Sequence, residues 1–140
     1  MNKSIKILLV EDNEGDIYLT KSALKEGKII NEILIERDGQ AAVNFLEKCT
    51  NNVNLKPNLI LLDMNLPKLN GIEVLKYIKT NNELKHIPVI MLTTSSFEQD
   101  IVKSYKNYAN CYITKPIDVK DFIQVVEKIE DFWISIVQLP

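Results

Sequence analysis

Residues 58–71 read NLILLDMNLPKLNG and contain the clearest strand signal in the chain. Four consecutive apolar residues, Leu59–Leu62, run directly into Asp63, and a turn-forming segment with proline, asparagine and glycine follows. A continuous apolar run bounded by turn residues predicts a strand that is covered on both faces, as in a parallel sheet. The acid therefore marks the point where a buried strand leaves the core.

Four further short apolar runs predict the other strands of the sheet. They are IKILLV (5–10), ILIE (33–36), PVIMLT (88–93) and CYIT (111–114). The run at 33–36 alternates more than the others and is flanked by Glu32 and Glu36, so we expect it at an edge of the sheet.

Segments of helical period separate these runs and predict five helices. Their apolar stripes are Ile17, Thr20, Ala23 and Leu24; Ala42, Val43 and Leu46; Val74, Leu75 and Ile78; Ile101, Val102 and Tyr105; and Phe122, Val125, Val126, Ile129, Trp133, Ile136 and Val137. Gly27 is expected to end the first helix, and Asp38 and Asp118 are expected to cap the second and the fifth. A βα unit repeated five times predicts an α/β fold, with a parallel sheet and helices on both faces.

Length and composition restrict the class of protein. The 140 residues have the size of one domain, so we expect a single domain over residues 1–140. The net charge of −2 provides no basic surface for nucleic acid. No apolar run approaches the roughly 20 residues that cross a bilayer, and we interpret the N-terminal run as a strand rather than a signal peptide. These observations predict a cytoplasmic protein without a nucleic-acid or membrane partner.

The cysteines and the histidine carry little functional signal. Cys49 and Cys111 belong to no C-x-x-C pair, and we interpret them as free thiols in a reducing compartment. His86, the only histidine, lies in a polar stretch and is expected to be an exposed loop residue.

Polar side chains follow four of the predicted strands, each at the point where the strand ends. Glu11 and Asp12 follow the first strand, Asp63 ends the third, Thr93 ends the fourth and Lys115 follows the fifth. The carboxyl ends of parallel strands lie on one edge of a sheet, where open α/β folds bind their ligands. We therefore expect three carboxylates, a hydroxyl and an ammonium group to converge on one pocket.

Three crowded carboxylates repel one another, and a hard divalent ion relieves that repulsion. Mg²⁺ suits oxygen ligands and leaves positions for a phosphate, and an aspartate beside it can act as a nucleophile toward phosphorus. Taken singly, each group also has a structural interpretation. Glu11 and Asp12 could start the first helix, Asp63 could be a loop acid, and Lys115 could be a solvated charge.

Four motifs, ILLVEDN, LILLDMNLPKLNG, PVIMLTT and CYITKP, occur in this order and at these intervals. Together they resemble the receiver domain of two-component response regulators, from about Ile5 to the end of the fifth helix. The resemblance implies a flavodoxin-like, doubly wound five-stranded parallel sheet of order 2-1-3-4-5, with five helices in three layers. The segments VEDNEGDIYLTKSALKE and EDFWISIVQLP further resemble small stand-alone regulators that partner phytochrome-type sensor histidine kinases.

The resemblance implies a role for each residue of the expected pocket. Asp63 matches the aspartate that accepts a phosphoryl group from a kinase histidine. Asp12, with Glu11 beside it, matches the acidic pair that holds Mg²⁺, for which Mn²⁺ is an alternative. Asp63 and the backbone carbonyl of Asn65 complete that metal site.

Further family positions concern the transferred group and the switch that follows. Thr93 matches the hydroxyl that moves toward the phosphoryl group, and Lys115 matches the lysine that pairs with it. Tyr112 matches the aromatic switch residue, and Pro116 matches a proline that usually follows a cis peptide bond. Two positions depart from the family: Tyr108 replaces a common glycine, and Ser95 replaces longer side chains.

The implied function is that of a single-domain response regulator, which catalyses only its own phosphorylation and dephosphorylation. We expect phosphorylation to alter the face made by the fourth helix, fifth strand and fifth helix. The extended fifth helix, about 118–137, carries apolar residues beyond the usual end of receiver domains, which predicts a homodimer through this face. The sequence suggests no output domain.

Two other functions remain open at this point. A phosphohydrolase would also use an aspartyl phosphate and Mg²⁺, but such enzymes typically carry a D-x-D motif after the first strand, where this chain has EDN. A degenerate receiver, used only as an interaction module, would fail to bind Mg²⁺.

Overall fold

The computed structural model describes residues 5–26, 31–93, 111–115 and 120–137. Within these ranges, strands and helices alternate along the chain. The elements are β1 Ile5–Val10, α1 Glu14–Lys25, β2 Asn31–Glu36, α2 Gly39–Cys49, a 3₁₀ helix Val53–Leu55, β3 Leu59–Asp63, α3 Gly71–Lys79, β4 Val89–Thr93, β5 Cys111–Thr114 and α4 Lys120–Val137. The fourth predicted helix, around Ile101, lies outside the described residues, and α4 corresponds to the fifth predicted helix.

The strands form one sheet in the order β2-β1-β3-β4-β5, and every neighbouring pair is parallel. The order agrees with the prediction, and β2 lies at an edge as its charged flanks indicated. From β1 the chain crosses to β2 on one side and then to β3 on the other, so the strand order reverses between β1 and β3. The carboxyl ends of these two strands therefore border the crevice where flavodoxin-like folds bind ligands.

Apolar side chains fill both faces of the sheet. One core contains Leu8, Val10, Ile60 and Leu62, packed against α2 and α3. The other contains Ile7, Leu9, Leu59 and Leu61, packed with residues of α1 and α4. Because successive residues of a strand point to opposite faces, a strand between two apolar layers has no polar positions. This confirms the interpretation of LILL as a strand covered on both sides, and all four residues have 0% exposure.

Polar caps decide where the helices begin. The Asn13 side chain accepts a hydrogen bond from the backbone N–H of Asp16 at 2.9 Å and starts α1. Asp38 caps α2 as predicted, with a 2.6 Å hydrogen bond from the N–H of Ala41. Because α1 starts after Asn13, Glu11 and Asp12 precede the helix and do not belong to its first turn. The expected roles of Gly27 and Asp118 fall outside the described residues.

The loop from β3 to α3 folds back tightly on the end of β3. The N–H of Gly71 donates to the carbonyl of Met64 at 2.9 Å, and a Cβ at Gly71 would overlap the backbone of Asp63 and Met64. Gly39 makes a similar close approach to Leu69 from the start of α2. Lys68 adopts a φ of 70°, the left-handed conformation that L-residues rarely take. The absence of a Cβ at Gly39 and Gly71 lets the loop pack closely against its neighbours, including the backbone that carries Asp63.

Other predictions concern residues away from the sheet edge. Cys49 is a buried free thiol, and His86 is exposed, as predicted. Within the described residues, no helix combines the length and the apolar character that crossing a membrane requires.

Candidate functional site

Three carboxylates meet at the carboxyl edge of the sheet. Oxygens of Glu11, Asp12 and Asp63 lie within 4.8 Å of one another. The register explains this proximity, because Val10 pairs with Leu62 and the next residues of both strands emerge side by side. Glu11 and Asp63 are 1% and 3% exposed, whereas Asp12 is exposed. The cluster thus has two buried acids and one acid open to solvent.

Lys115 joins this cluster from the end of β5. Its Nζ lies 2.7 Å from Glu11 Oε1, 2.7 Å from Asp16 Oδ2 and 3.5 Å from Asp63 Oδ2. A backbone hydrogen bond of 2.6 Å, from the N–H of Lys115 to the carbonyl of Thr93, fixes the chain at this point. The structure therefore brings the predicted lysine to the predicted acids.

Sequence reasoning missed Asp16, which is the fourth acid of the cluster. Asp16 lies in the first turn of α1 and pairs with Lys115 across the end of the sheet. A signal was present, because Asp16 follows Asp12 by four residues at the start of a helix. Without the orientation of α1, however, the same spacing also fits an acid placed for the helix dipole.

Burial and neighbouring charges shift the pKa values of Asp63 and Lys115. Burial, together with a hydrogen bond to Glu11 and the charge of Glu11, raises the pKa of Asp63 to about 7, against the lowering effect of Lys115 and of the Asn65 backbone. Burial lowers the pKa of Lys115, but hydrogen bonds to Asp16 and Glu11 and the charge of Asp63 outweigh it, so the pKa lies above its ordinary value. The ammonium is charged at neutral pH, while Asp63 sits near its titration midpoint.

Thr93 follows Leu92, which pairs with Asp63 in the sheet, and Asn65 lies two residues after Asp63. The Thr93 side chain is fully buried, and its hydroxyl has no hydrogen-bond partner among the described residues. A buried hydroxyl without a partner is costly, so this group is available to an incoming acceptor. The N–H of Asn65 donates a long hydrogen bond of 3.4 Å to Asp63 Oδ1.

The remaining predicted residues are only partly described. Tyr112 lies in β5 opposite Met91, and its side chain falls outside the description. Pro116, with the peptide bond expected to be cis, lies outside the described residues. The same holds for Ser95 and Tyr108.

The donor set fits a hard divalent cation. Carboxylate oxygens are the ligands that Mg²⁺ and Mn²⁺ take, and one exposed acid leaves the cluster open to a hydrated ion. Burial and the neighbouring Glu11 raise the pKa of Asp63, so a cation placed beside the carboxylate would favour its charged form. Among the described acidic side chains, those of Glu11, Asp12 and Asp63 lie close enough together to hold the ion.

One concave surface of the molecule lies away from the carboxylate cluster. A groove of about 710 Å³ runs between α1 and β2, with Ile17, Tyr18 and Ile33 among its lining residues. It includes none of the three carboxylates that could hold a metal. The groove is therefore separate from the carboxylate cluster.

Comparison with known proteins defines the class. The sequence model of the response regulator receiver domain matches residues 7–127, and the chain belongs to this family. Receiver domains are phosphoacceptor signalling proteins, so membership decides against the phosphohydrolase alternative.

Particular relatives match over nearly the whole chain. Response regulator Rcp1 of Synechocystis sp. is 50% identical over 135 residues, which cover 96% of this chain and 92% of that protein. The crystal structure of the Mn²⁺-bound form of Rcp1 has a TM-score of 0.82 at 49% identity, covering 97% of this chain and 99% of the other. The phosphorylated cyanobacterial phytochrome response regulator RcpA has a TM-score of 0.85 at 45% identity, covering 99% of each chain.

Proposed function

We propose that Asp63 is the phosphoacceptor and that it takes a phosphoryl group from the histidine of a sensor kinase. The observation that carries this proposal is the convergence of Glu11, Asp12 and Asp63 with Lys115 at the carboxyl edge of the sheet. The phosphorylated form of the relative RcpA gives independent support for a phosphoacceptor.

The reaction is a phosphoryl transfer from nitrogen to oxygen. A carboxylate oxygen of Asp63 forms a bond to phosphorus while the bond from phosphorus to the imidazole nitrogen breaks, and the electron pair returns to that nitrogen. The Lys115 ammonium offsets negative charge on the transferring group, and the Thr93 hydroxyl supplies a hydrogen bond to it.

A divalent ion completes the proposed site. Mg²⁺, held by Glu11, Asp12, Asp63 and the carbonyl of Asn65, would neutralise charge on the phosphoryl oxygens. Mn²⁺ is an alternative, because Rcp1 has a Mn²⁺-bound form. The deprotonated state of Asp63, which is the nucleophile, is favoured by any positive charge placed beside it.

Replacing Asp63 tests the assignment. The unaltered protein, incubated with acetyl phosphate and Mg²⁺, should gain one phosphoryl group, measured by intact mass and by the lability of the acyl phosphate to hydroxylamine. Asp63→Asn should abolish the gain, because an amide is not a nucleophile toward phosphorus. Asp131→Asn, at an exposed position of α4, is the matched control and should be phosphorylated normally.

Stoichiometric, hydroxylamine-labile phosphorylation of Asp63→Asn would overturn the assignment. A degenerate receiver would show no phosphorylation and no Mg²⁺ binding even without substitution. A wrong assignment of Asp63 and a degenerate receiver would therefore give different results in this experiment.

The kinase partner is proposed to be phytochrome-type and to act in the cytoplasm on a single receiver domain. Support comes from RcpA, described as a cyanobacterial phytochrome response regulator, and from AtBRR, a bacteriophytochrome response regulator that is 39% identical. Phosphotransfer from a panel of purified kinases tests this partner. Faster transfer from kinases without a phytochrome sensor would contradict it.

Phosphorylation is further proposed to alter the face made by the fourth predicted helix, β5 and α4, through Thr93 and Tyr112, and to favour a homodimer there. Support comes from the length of α4, 18 residues, and from the apolar residues Phe132 and Ile134, which the helical period of the sequence separates from the predicted core-facing stripe. Light scattering with and without acetyl phosphate measures the assembly. A strict monomer under both conditions would contradict the dimer.

A further inference from the structure

We propose that Asp16 is a positioning residue that holds Lys115 on the α1 side of the site and so competes with Asp63 and the incoming phosphoryl group for the ammonium. This inference concerns regulation of the same site and rests on the proposed role of Asp63. It assigns a role in the phosphorylation reaction to a residue of α1 that the receiver motifs do not include.

The Lys115 ammonium lies closer to two of its acidic neighbours than to the third. Lys115 Nζ lies 2.7 Å from both Glu11 and Asp16, whereas Asp63 is 3.5 Å away. Charge-assisted hydrogen bonds between ammonium and carboxylate are normally close to the shorter value. In this state the lysine therefore bonds mainly to Glu11 and Asp16 and only weakly to the phosphoacceptor.

The ammonium has three protons but a single position, so its partners compete. A phosphoryl group on Asp63 adds acceptor oxygens and negative charge beside Asp63, and Lys115 must shift toward them to pair. Glu11 belongs to the proposed metal ligands and has a second function in the site. Asp16 has no such function, so its bond to Lys115 is an interaction that phosphorylation has to displace.

A simpler role for Asp16 is to stabilise the start of α1 through the helix dipole. Glu14 lies in the same turn and has the same charge, but it pairs with Arg37 at 2.6 Å. The side chain of Asp16 is 29% exposed and faces Lys115, while that of Glu14 is 70% exposed. Glu14 therefore provides a control for charge and helix position without the contact to Lys115.

The rate of phosphorylation by acetyl phosphate is the first measurement. Asp16→Asn keeps the shape of the side chain and removes the competing charge, so the rate should rise by roughly fivefold, the size expected from a partly exposed ion pair. Affinity for beryllofluoride, a phosphoryl mimic, should rise by a similar factor. Glu14→Gln should leave both within about twofold, since surface pairs contribute little.

The dependence on Lys115 separates positioning from a general charge effect. When Lys115 is also replaced by Ala, Asp16→Asn should no longer raise the rate, because no ammonium remains to be released. Asp16→Ala provides a second variant, and thermal unfolding of each variant confirms that it is folded.

An unchanged or lower rate in folded Asp16→Asn and Asp16→Ala would overturn the inference. So would an equal rise in the Lys115→Ala background or in Glu14→Gln. A failure of the proposed function looks different, because the unaltered protein itself would then take up no phosphoryl group.

Discussion

At the scale of single residues, Asp63 combines two requirements that oppose each other. A buried strand fixes the position of the Asp63 side chain. Burial, together with Glu11, also raises the pKa of its carboxyl group to about 7. The proposed role as a nucleophile requires the charged carboxylate at neutral pH. The neighbouring ammonium of Lys115, 3.5 Å away, offsets only part of the cost, which explains why an added cation suits the site.

This tension predicts a pH dependence of stability in the absence of divalent ions. The folded-state pKa of Asp63 lies above its ordinary value of 3.8, so between about pH 4 and pH 7 the folded state binds more protons than the unfolded state. The free energy of unfolding should therefore fall as pH rises through this window. Asp63 should contribute on the order of 2–4 kcal/mol to that fall.

Urea unfolding at several pH values measures this effect as a difference between proteins. Asp63→Asn should flatten the decline, because an amide does not titrate. Asp131→Asn should retain it. Equal slopes for the unaltered protein and Asp63→Asn would show that Asp63 titrates normally in the folded state.

At the scale of elements, the loop between β3 and α3 packs behind Asp63, the proposed phosphoacceptor. Asn70 and Glu73 form a capping box, with side chain to backbone distances of 2.9 and 3.1 Å. Gly71, the first residue of α3, packs against the backbone of Asp63. The start of α3 and the end of β3 therefore pack directly against each other as one structural unit.

Removing the cap should destabilise this unit. Asn70→Ala leaves the N–H of Glu73 without its side-chain partner and should lower the free energy of unfolding by about 1 kcal/mol. Chemical denaturation measures the loss. Asn44→Ala, at an exposed position inside α2, should cost nothing or stabilise slightly, because alanine is the better helix former. An equal loss in both variants would mean that the capping box adds no stability.

At the scale of the whole molecule, the proposed metal ligands lie at the ends of separate strands that only the folded sheet brings together. Asp12 follows β1 and Asp63 ends β3, more than 50 residues apart along the chain. An unfolded chain cannot hold these acids together, so a cation that they bind should stabilise the folded state.

Metal addition should therefore raise the melting temperature. At a hundredfold excess over its Kd, Mg²⁺ should add about 3 kcal/mol and shift Tm by roughly 5–10 °C. Asp12→Asn should reduce the shift, and Asp131→Asn should leave it unchanged. Chelation with EDTA should reverse it. A shift that persists in Asp12→Asn and Asp63→Asn would locate the ion elsewhere.

Much of the architecture was predictable because burial on both faces of a sheet leaves a strong local signal. The runs at 5–10, 59–63 and 88–93 are strands within one residue of their predicted ends, and β2 occupies the predicted edge. The cap at Asp38 was also readable, since side-chain capping is a contact within one turn.

Apolar runs in the chain were enough to predict which strands are buried and which polar residues lie at their ends. The pairing of charges among those residues became visible only in the folded molecule. The tertiary structure brought Asp16 to Lys115, left that lysine farther from Asp63 than from Glu11, and required glycine at position 39 against Leu69. The reason is physical: apolar periodicity is a local property of the chain, whereas the partner of an ammonium group depends on how separate elements are oriented within a few ångströms.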